Sequence, residues 1–124
     1  MTSRRAAVVA VFAVPFTALR AAAAGLGAAE SARIERLLKY VESQPQCKFI
    51  RNGEAYSAAD VARFLRAKLA RMGGQVDTAT QFIDQIASRS STSGQPYLIR
   101  CADGVSRPSA QVLAEELRRI DAQP

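Results

Sequence analysis

The sequence contains no histidine and no tryptophan, and only two of its 124 residues are cysteine. Histidine is the most common metal ligand and the most common general base at neutral pH, so its absence excludes Ser-His-Asp, Cys-His and zincin chemistry. The remaining residues contain no recognisable cofactor or metal motif, and we expect neither a cofactor nor a metal site. The sequence therefore favours a non-enzymatic protein.

Disorder is excluded by composition, because 48% of the residues are hydrophobic. A chain of this length forms one domain. Lysine and arginine exceed aspartate and glutamate by 17 to 11, which gives a formal net charge of +6. The position of these charges matters, because some of them lie at the N-terminus.

The N-terminal segment 1–29 has the pattern of an export signal. Arg4 and Arg5 precede a 14-residue apolar run, and small residues follow as far as Ala29. Arg20 interrupts the run before the roughly 20 apolar residues that a membrane span needs, so an uncleaved anchor is the less favoured alternative. The paired arginines also fit a twin-arginine signal, although the general secretory route is favoured.

Cleavage after Ala29 would leave a single domain, 30–124, of 95 residues with a formal charge of +3, because three arginines are removed. An excess this small does not indicate nucleic-acid binding. We expect a periplasmic or secreted protein that has no stable membrane insertion after cleavage.

Hydrophobic periodicity predicts an α+β domain with about four helices packed on a short antiparallel sheet. Asn52-Gly53 favours a tight β-hairpin, because these residues readily adopt positive φ angles. Residues 97–101 predict a third strand. The four helices are predicted ahead of Pro45, between Ser57 and Gly73, from Thr78 to near Arg89, and after Pro108.

The two cysteines are predicted to form a disulfide. Strand alternation places Cys47 and Phe49 on one face of the first strand, and Tyr97 and Cys101 on one face of the third. Adjacent pairing of these strands would bring the sulfurs together, and an exported protein favours their oxidation. The alternative, a redox or metal pair, would need a C-x-x-C motif or further ligands.

The order of motifs over residues 31–120 resembles the YfeK-like family of small exported bacterial proteins of unknown function. That family has no assigned reaction, so the resemblance implies a fold and a compartment and leaves the function open. Two motifs carry it: Cys47-x-Phe49-x-Arg51-Asn52-Gly53-x-x-Tyr56 and Ser90-Ser91-x-Ser93-Gly94-x-Pro96-Tyr97.

We expect the function to lie on a surface formed by the hairpin turn and the polar loop before the third strand. Glycines relax the backbone there, and a disulfide would fix the strands that carry it, an arrangement that suits recognition of an envelope protein or a glycan. The same loop could instead simply end a helix and begin a strand. The predicted surface consists of Arg51, Asn52, Gly53, Ser90, Ser91, Ser93, Gly94 and Tyr97.

Two alternatives to an envelope binding module remain open. The Ser-Gly-x-x-Tyr pattern at 93–97 is similar to the short motif of periplasmic lysozyme inhibitors, in which a serine loop enters the enzyme cleft. A domain with a charge of +3 would, however, be repelled by a cationic lysozyme. The other alternative is a serine-dependent hydrolase, which would need one of the lysines as a base. Neither pattern determines the oligomeric state.

Overall fold

The computed structural model describes residues 26–123. Most of the predicted export signal, residues 1–25, lies outside the described residues. None of the helices between residues 26 and 123 is long and apolar enough to cross a membrane. The elements follow the order α1 (Ala28–Glu42), β1 (Lys48–Arg51), β2 (Glu54–Ser57), α2 (Ala58–Met72), α3 (Ala79–Gln81 continuing as Phe82–Ile86), β3 (Leu98–Arg100), β4 (Ser106–Pro108) and α4 (Ser109–Asp121).

The predicted α+β class is confirmed, and two helices begin at the capping residues that the sequence predicts. The Ser57 hydroxyl accepts a hydrogen bond from the backbone N–H of Asp60, at 3.1 Å, and begins α2. The Thr78 hydroxyl does the same for Gln81, at 3.1 Å, at the start of α3. Helix α2 ends at Met72, directly before the glycine pair, and a short 3₁₀ turn follows.

Helix α3 is shorter than predicted and has an unusual geometry. It ends at Ile86 instead of near Arg89, and its second part has π-helical hydrogen bonding, with the N–H of Ala87 donating to the carbonyl of Phe82 at 3.1 Å. Such π-helical turns are rare and usually short. Here the turn accompanies the burial of Phe82, Ile83 and Ile86 together in the core.

The sheet has the strand order β2-β1-β3-β4, and all its pairs are antiparallel. Phe49 of β1 lies opposite Ile99 of β3. This confirms the prediction that the strands next to the two cysteines pair with each other. Strand β4 is an addition to the prediction, which assigned residues 106–108 to a helix entrance. Its Pro108 is compatible with an edge strand, because an edge residue needs no ladder N–H on its open side.

The disulfide between Cys47 and Cys101 is present, with the two Cα atoms 4.0 Å apart and a sequence separation of 54. It lies one residue beyond the paired ends of β1 and β3. Cys47 is 2% exposed and belongs to the hydrophobic core, so the cross-link is built into the packing between the sheet and the helices.

The start of α1 is joined to the rest of the fold by Glu30. One carboxylate oxygen of Glu30 accepts a hydrogen bond from the backbone N–H of Ala79, at 2.8 Å, and Arg33 donates to both oxygens at 2.9 Å. Arg33 also binds Asp121 of α4. The bond from Ala79 and the Arg33 guanidinium lower the pKa of Glu30 below its ordinary value.

Candidate functional site

The hairpin turn and the polar loop, predicted to form one surface, are in direct contact. Asn52 and Gly53 have φ angles of +51° and +83°, as a two-residue hairpin turn requires. The Oδ1 atom of Asn52 accepts a hydrogen bond from the Ser93 hydroxyl at 2.5 Å, and its Nδ2 lies 3.4 Å from Ser90 Oγ. We call this surface, residues 51–53 and 90–95, the turn–loop ridge.

The loop of the ridge is organised around Ser90, which is only 2% exposed. Its hydroxyl oxygen accepts from the backbone N–H groups of Thr92 and Ser93, both at 3.3 Å, and its carbonyl accepts from the N–H of Gly94 at 2.9 Å. Gly94 has a φ angle of +76°, which favours glycine there. Ser90 therefore shapes the loop, while Ser91 and Ser93 are exposed at its surface.

Tyr97, predicted as part of the binding surface, points into the protein and is 7% exposed. Its position follows from strand alternation, since residues 97, 99 and 101 share the face of the sheet that the helices cover. The Tyr97 hydroxyl accepts a hydrogen bond from the Nζ of Lys68 at 3.0 Å. Its ring meets the ring of Phe64 edge to face, with centroids 6.0 Å apart.

Lys68, one of the lysines that could act as a base in the hydrolase alternative, is buried. It is 1% exposed, and its Nζ donates to the carbonyl of Arg89 and to the Tyr97 hydroxyl, both at 3.0 Å. The burial of Lys68 could have been predicted from its spacing, because Lys68 follows Leu65 by three residues and Val61 by seven. It therefore falls on the apolar stripe of α2.

A groove lies between the hairpin and the first half of α2. Its volume is about 410 Å³. The guanidinium carbon of Arg51 lies 4.4 Å above the centroid of the Phe64 ring, a cation–π contact. Of the residues around the groove, only Arg51 belonged to the predicted surface. The lining residues are Arg51, Tyr56, Asp60, Val61, Arg63 and Phe64.

Most polar groups of the groove already have a partner. Asp60 and Arg63 form an ion pair across one turn of α2. The Tyr56 hydroxyl donates to the Glu54 carboxylate at 2.8 Å, and this bond raises the pKa of Tyr56, with nearby Arg51 acting in the opposite direction. Arg51 is different, since its Nε atom is buried with no hydrogen-bond partner among residues 26–123.

The polar groups of the site are exposed hydroxyls and one stacked arginine. Within residues 26–123, no three side chains of histidine, cysteine, aspartate or glutamate lie close enough together to hold a metal ion. What the site offers is one exposed hydroxyl row on the ridge and one arginine stacked on an aromatic ring beside it. The hydroxyl oxygens can accept hydrogen bonds, and the arginine can donate them and bind negative charge.

Comparison with known proteins places the chain in a family. The model of a family of unknown function, DUF5329, matches residues 28–121. The uncharacterized protein YfeK of Salmonella typhimurium strain LT2 is 40% identical over 74 residues, which cover 60% of this chain and 62% of that protein. The chain thus spans less than two thirds of the curated relative it matches. No solved structure matches. The YfeK-like resemblance of its motifs is confirmed, and the chain belongs to the DUF5329 family of unknown function.

Proposed function

We propose that the protein is an exported, non-enzymatic binding module of the bacterial envelope, and that the turn–loop ridge with the adjoining groove is its binding surface. The observation that carries the proposal is the contact of Asn52 with Ser93 and Ser90. It joins two segments that are 38 or more residues apart in sequence into one polar surface.

The rigidity of the supporting strands favours recognition. Strand β1 leads into the turn, and β3 begins after the loop. The disulfide joins the same two strands at the ends that lie away from the ridge. Preorganised polar groups bind with a smaller loss of conformational entropy than mobile ones. A disulfide is also typical of proteins that function outside the cytoplasm, which supports export.

The hydrogen-bond partners of the serines favour binding over nucleophilic catalysis. A serine nucleophile needs a base within hydrogen-bond reach of its hydroxyl. The Ser93 hydroxyl instead donates to the amide oxygen of Asn52. The Nζ of the buried Lys68 is directed to the Tyr97 hydroxyl and the carbonyl of Arg89.

Capture from an envelope extract tests the proposal. The exported protein, with its disulfide formed, is immobilised and compared with Ser93→Ala and Arg51→Ala. We expect both variants to lose a component that the wild type retains, while both remain fully folded at the temperature of the assay. Ser106→Ala and Arg71→Ala are the matched controls, since both residues are exposed and lie outside the ridge and groove.

Equal capture by all five proteins would show that the ridge is not a binding surface. Labelling of Ser91 or Ser93 by a serine-reactive probe would favour the hydrolase alternative. Inhibition of lysozyme by the wild type, lost in Ser93→Ala, would favour the inhibitor alternative. Protein and sugar analysis of the retained material distinguishes an envelope protein from a glycan.

A further inference from the structure

Arg51 is held in the groove by an aromatic ring and not by an acidic partner. Its guanidinium carbon lies 4.4 Å from the Phe64 centroid, and its buried Nε has no hydrogen-bond partner within residues 26–123. In the same part of the chain, no ion pair includes Arg51. Stacking fixes the orientation of the guanidinium while leaving its charge uncompensated, which is a preorganised state for an anion.

A second cation lies behind the same ring. The Nζ of Lys68 is 6.0 Å from the Phe64 centroid, and its two recorded partners, the carbonyl of Arg89 and the hydroxyl of Tyr97, are both neutral. A buried ammonium group with only neutral partners leaves a positive potential around it. The positive potential of Lys68 therefore adds to that of Arg51 around the Phe64 ring.

The sum of the formal charges near Phe64 favours a ligand with a single negative charge. The two carboxylates at this site are already engaged, one with an arginine and one with a tyrosine hydroxyl. The groups together carry a formal charge of +1, so a monoanion neutralises the site and a dianion exceeds it. These groups are Arg51, Arg63, Lys68, Asp60 and Glu54.

The rest of the groove determines the shape of the ligand. Val61 and the ring of Phe64 give it an apolar wall, and a volume of about 410 Å³ lies within the usual range of small-ligand sites. The carboxylate oxygens of Asp60, which lines the groove, have lone pairs beyond the bond from Arg63 and can accept further hydrogen bonds. A peptide backbone has N–H groups to donate to them, whereas a fatty acid has none.

From these observations we infer that the groove binds the C-terminal end of a peptide, with its free carboxylate at Arg51 and an apolar C-terminal side chain against Val61 and Phe64. The inference rests on the proposed function and names the ligand class of its groove. Arg51 pairs with a carboxylate through two parallel N–H groups, a geometry that lysine cannot reproduce.

The inference is tested by titrating the exported protein with three probes and monitoring its amide chemical shifts by NMR. The probes are N-acetyl-Ala-Ala-Phe, the same peptide with a C-terminal amide, and decanoate. We expect the acid peptide to shift resonances of the groove residues, and to bind at least ten-fold more tightly than the amide and than decanoate. Raising the salt concentration should weaken its binding.

Three variants distinguish the role of Arg51 from a general effect of charge. Arg51→Gln should weaken binding of the acid peptide ten-fold or more. Arg51→Lys retains the charge and should still weaken it several-fold, which keeps the test valid if the glutamine variant folds poorly. Arg71→Gln, on the same helix as Phe64 and outside the groove, should leave binding unchanged, with unfolding midpoints recorded for every variant.

Equal affinity for the acid and the amide, tighter binding of decanoate, or no binding to the wild type would each overturn the inference. If Ser93-dependent capture of an envelope component persists in these cases, the proposed function stands without this ligand. Conversely, Arg51-dependent binding of the acid peptide, together with envelope capture that ignores both Ser93 and Arg51, would support the groove and contradict the proposed binding surface.

Discussion

Removal of the disulfide should cost this domain a large part of its stability. The bond between Cys47 and Cys101 closes a loop of 54 residues. In the chain-entropy model, opening a loop of this length returns about 4 kcal/mol of conformational free energy to the unfolded state. The net stability of a small domain is roughly 5–15 kcal/mol, so the double variant Cys47→Ala/Cys101→Ala should be marginally stable.

Urea unfolding of the oxidised wild type and of the double variant measures this difference directly. We expect the free energy of unfolding to fall by about 4 kcal/mol, and the thermal midpoint by roughly 15–30 °C. Alanine is used because Cys47 is buried in the core, where the hydroxyl of a serine would lack a partner. Wild type treated with a reductant is the control and should unfold at nearly the midpoint of the variant.

A loss below about 1 kcal/mol would refute this reasoning, because it would mean that the 54-residue loop does not restrict the unfolded chain. Two free thiols in the purified protein, found by mass spectrometry, would refute the disulfide itself.

Two further predictions concern side-chain contacts. In a double-mutant cycle by urea unfolding, Asn52→Gly and Ser93→Ala should couple by about 0.5–1.5 kcal/mol, because each removes the same hydrogen bond and glycine tolerates the positive φ angle. A coupling near zero would contradict a ridge held by this bond. Glu30→Gln should destabilise the protein by about 1 kcal/mol at pH 7, because glutamine can still accept the backbone N–H of Ala79 but lacks the charge that strengthens this bond and pairs with Arg33. Since the pKa of Glu30 is lowered in the folded protein, its ionised form contributes stability above the ordinary glutamate range. The difference between wild type and variant should therefore shrink as the pH falls through the folded pKa, and a difference independent of pH would contradict this assignment.

The features that were predictable from sequence are those that depend on local chemistry. Asn52-Gly53 requires a tight hairpin, because two successive residues with positive φ angles satisfy few other structures. The disulfide followed from alternation along two strands and from the export signal. Strand β4 was missed because three exposed residues, including Pro108, carry neither periodicity nor strand propensity.

The candidate site was only half predictable, for a different reason. The ridge was found because its turn and loop contain recognisable polar and glycine residues. The groove depends on where β1 places Arg51 relative to Phe64 of α2, and no local pattern encodes that distance. Tyr97 and Lys68 form a buried pair whose polar atoms satisfy each other, and a polar residue on an apolar stripe is easily taken for an exposed one.

The position of the disulfide also determines how the protein responds to proteolysis. Strands β1, β2 and β3, helices α2 and α3, and every residue of the ridge and groove lie between Cys47 and Cys101. A single peptide-bond cut at the exposed loop residues 91–95 therefore produces two fragments that remain covalently linked. A cut in α1 or α4 releases the terminal end of that helix from the covalent loop. In the proposed envelope role, the disulfide would thus keep both halves of the turn–loop ridge in one molecule after a first cleavage.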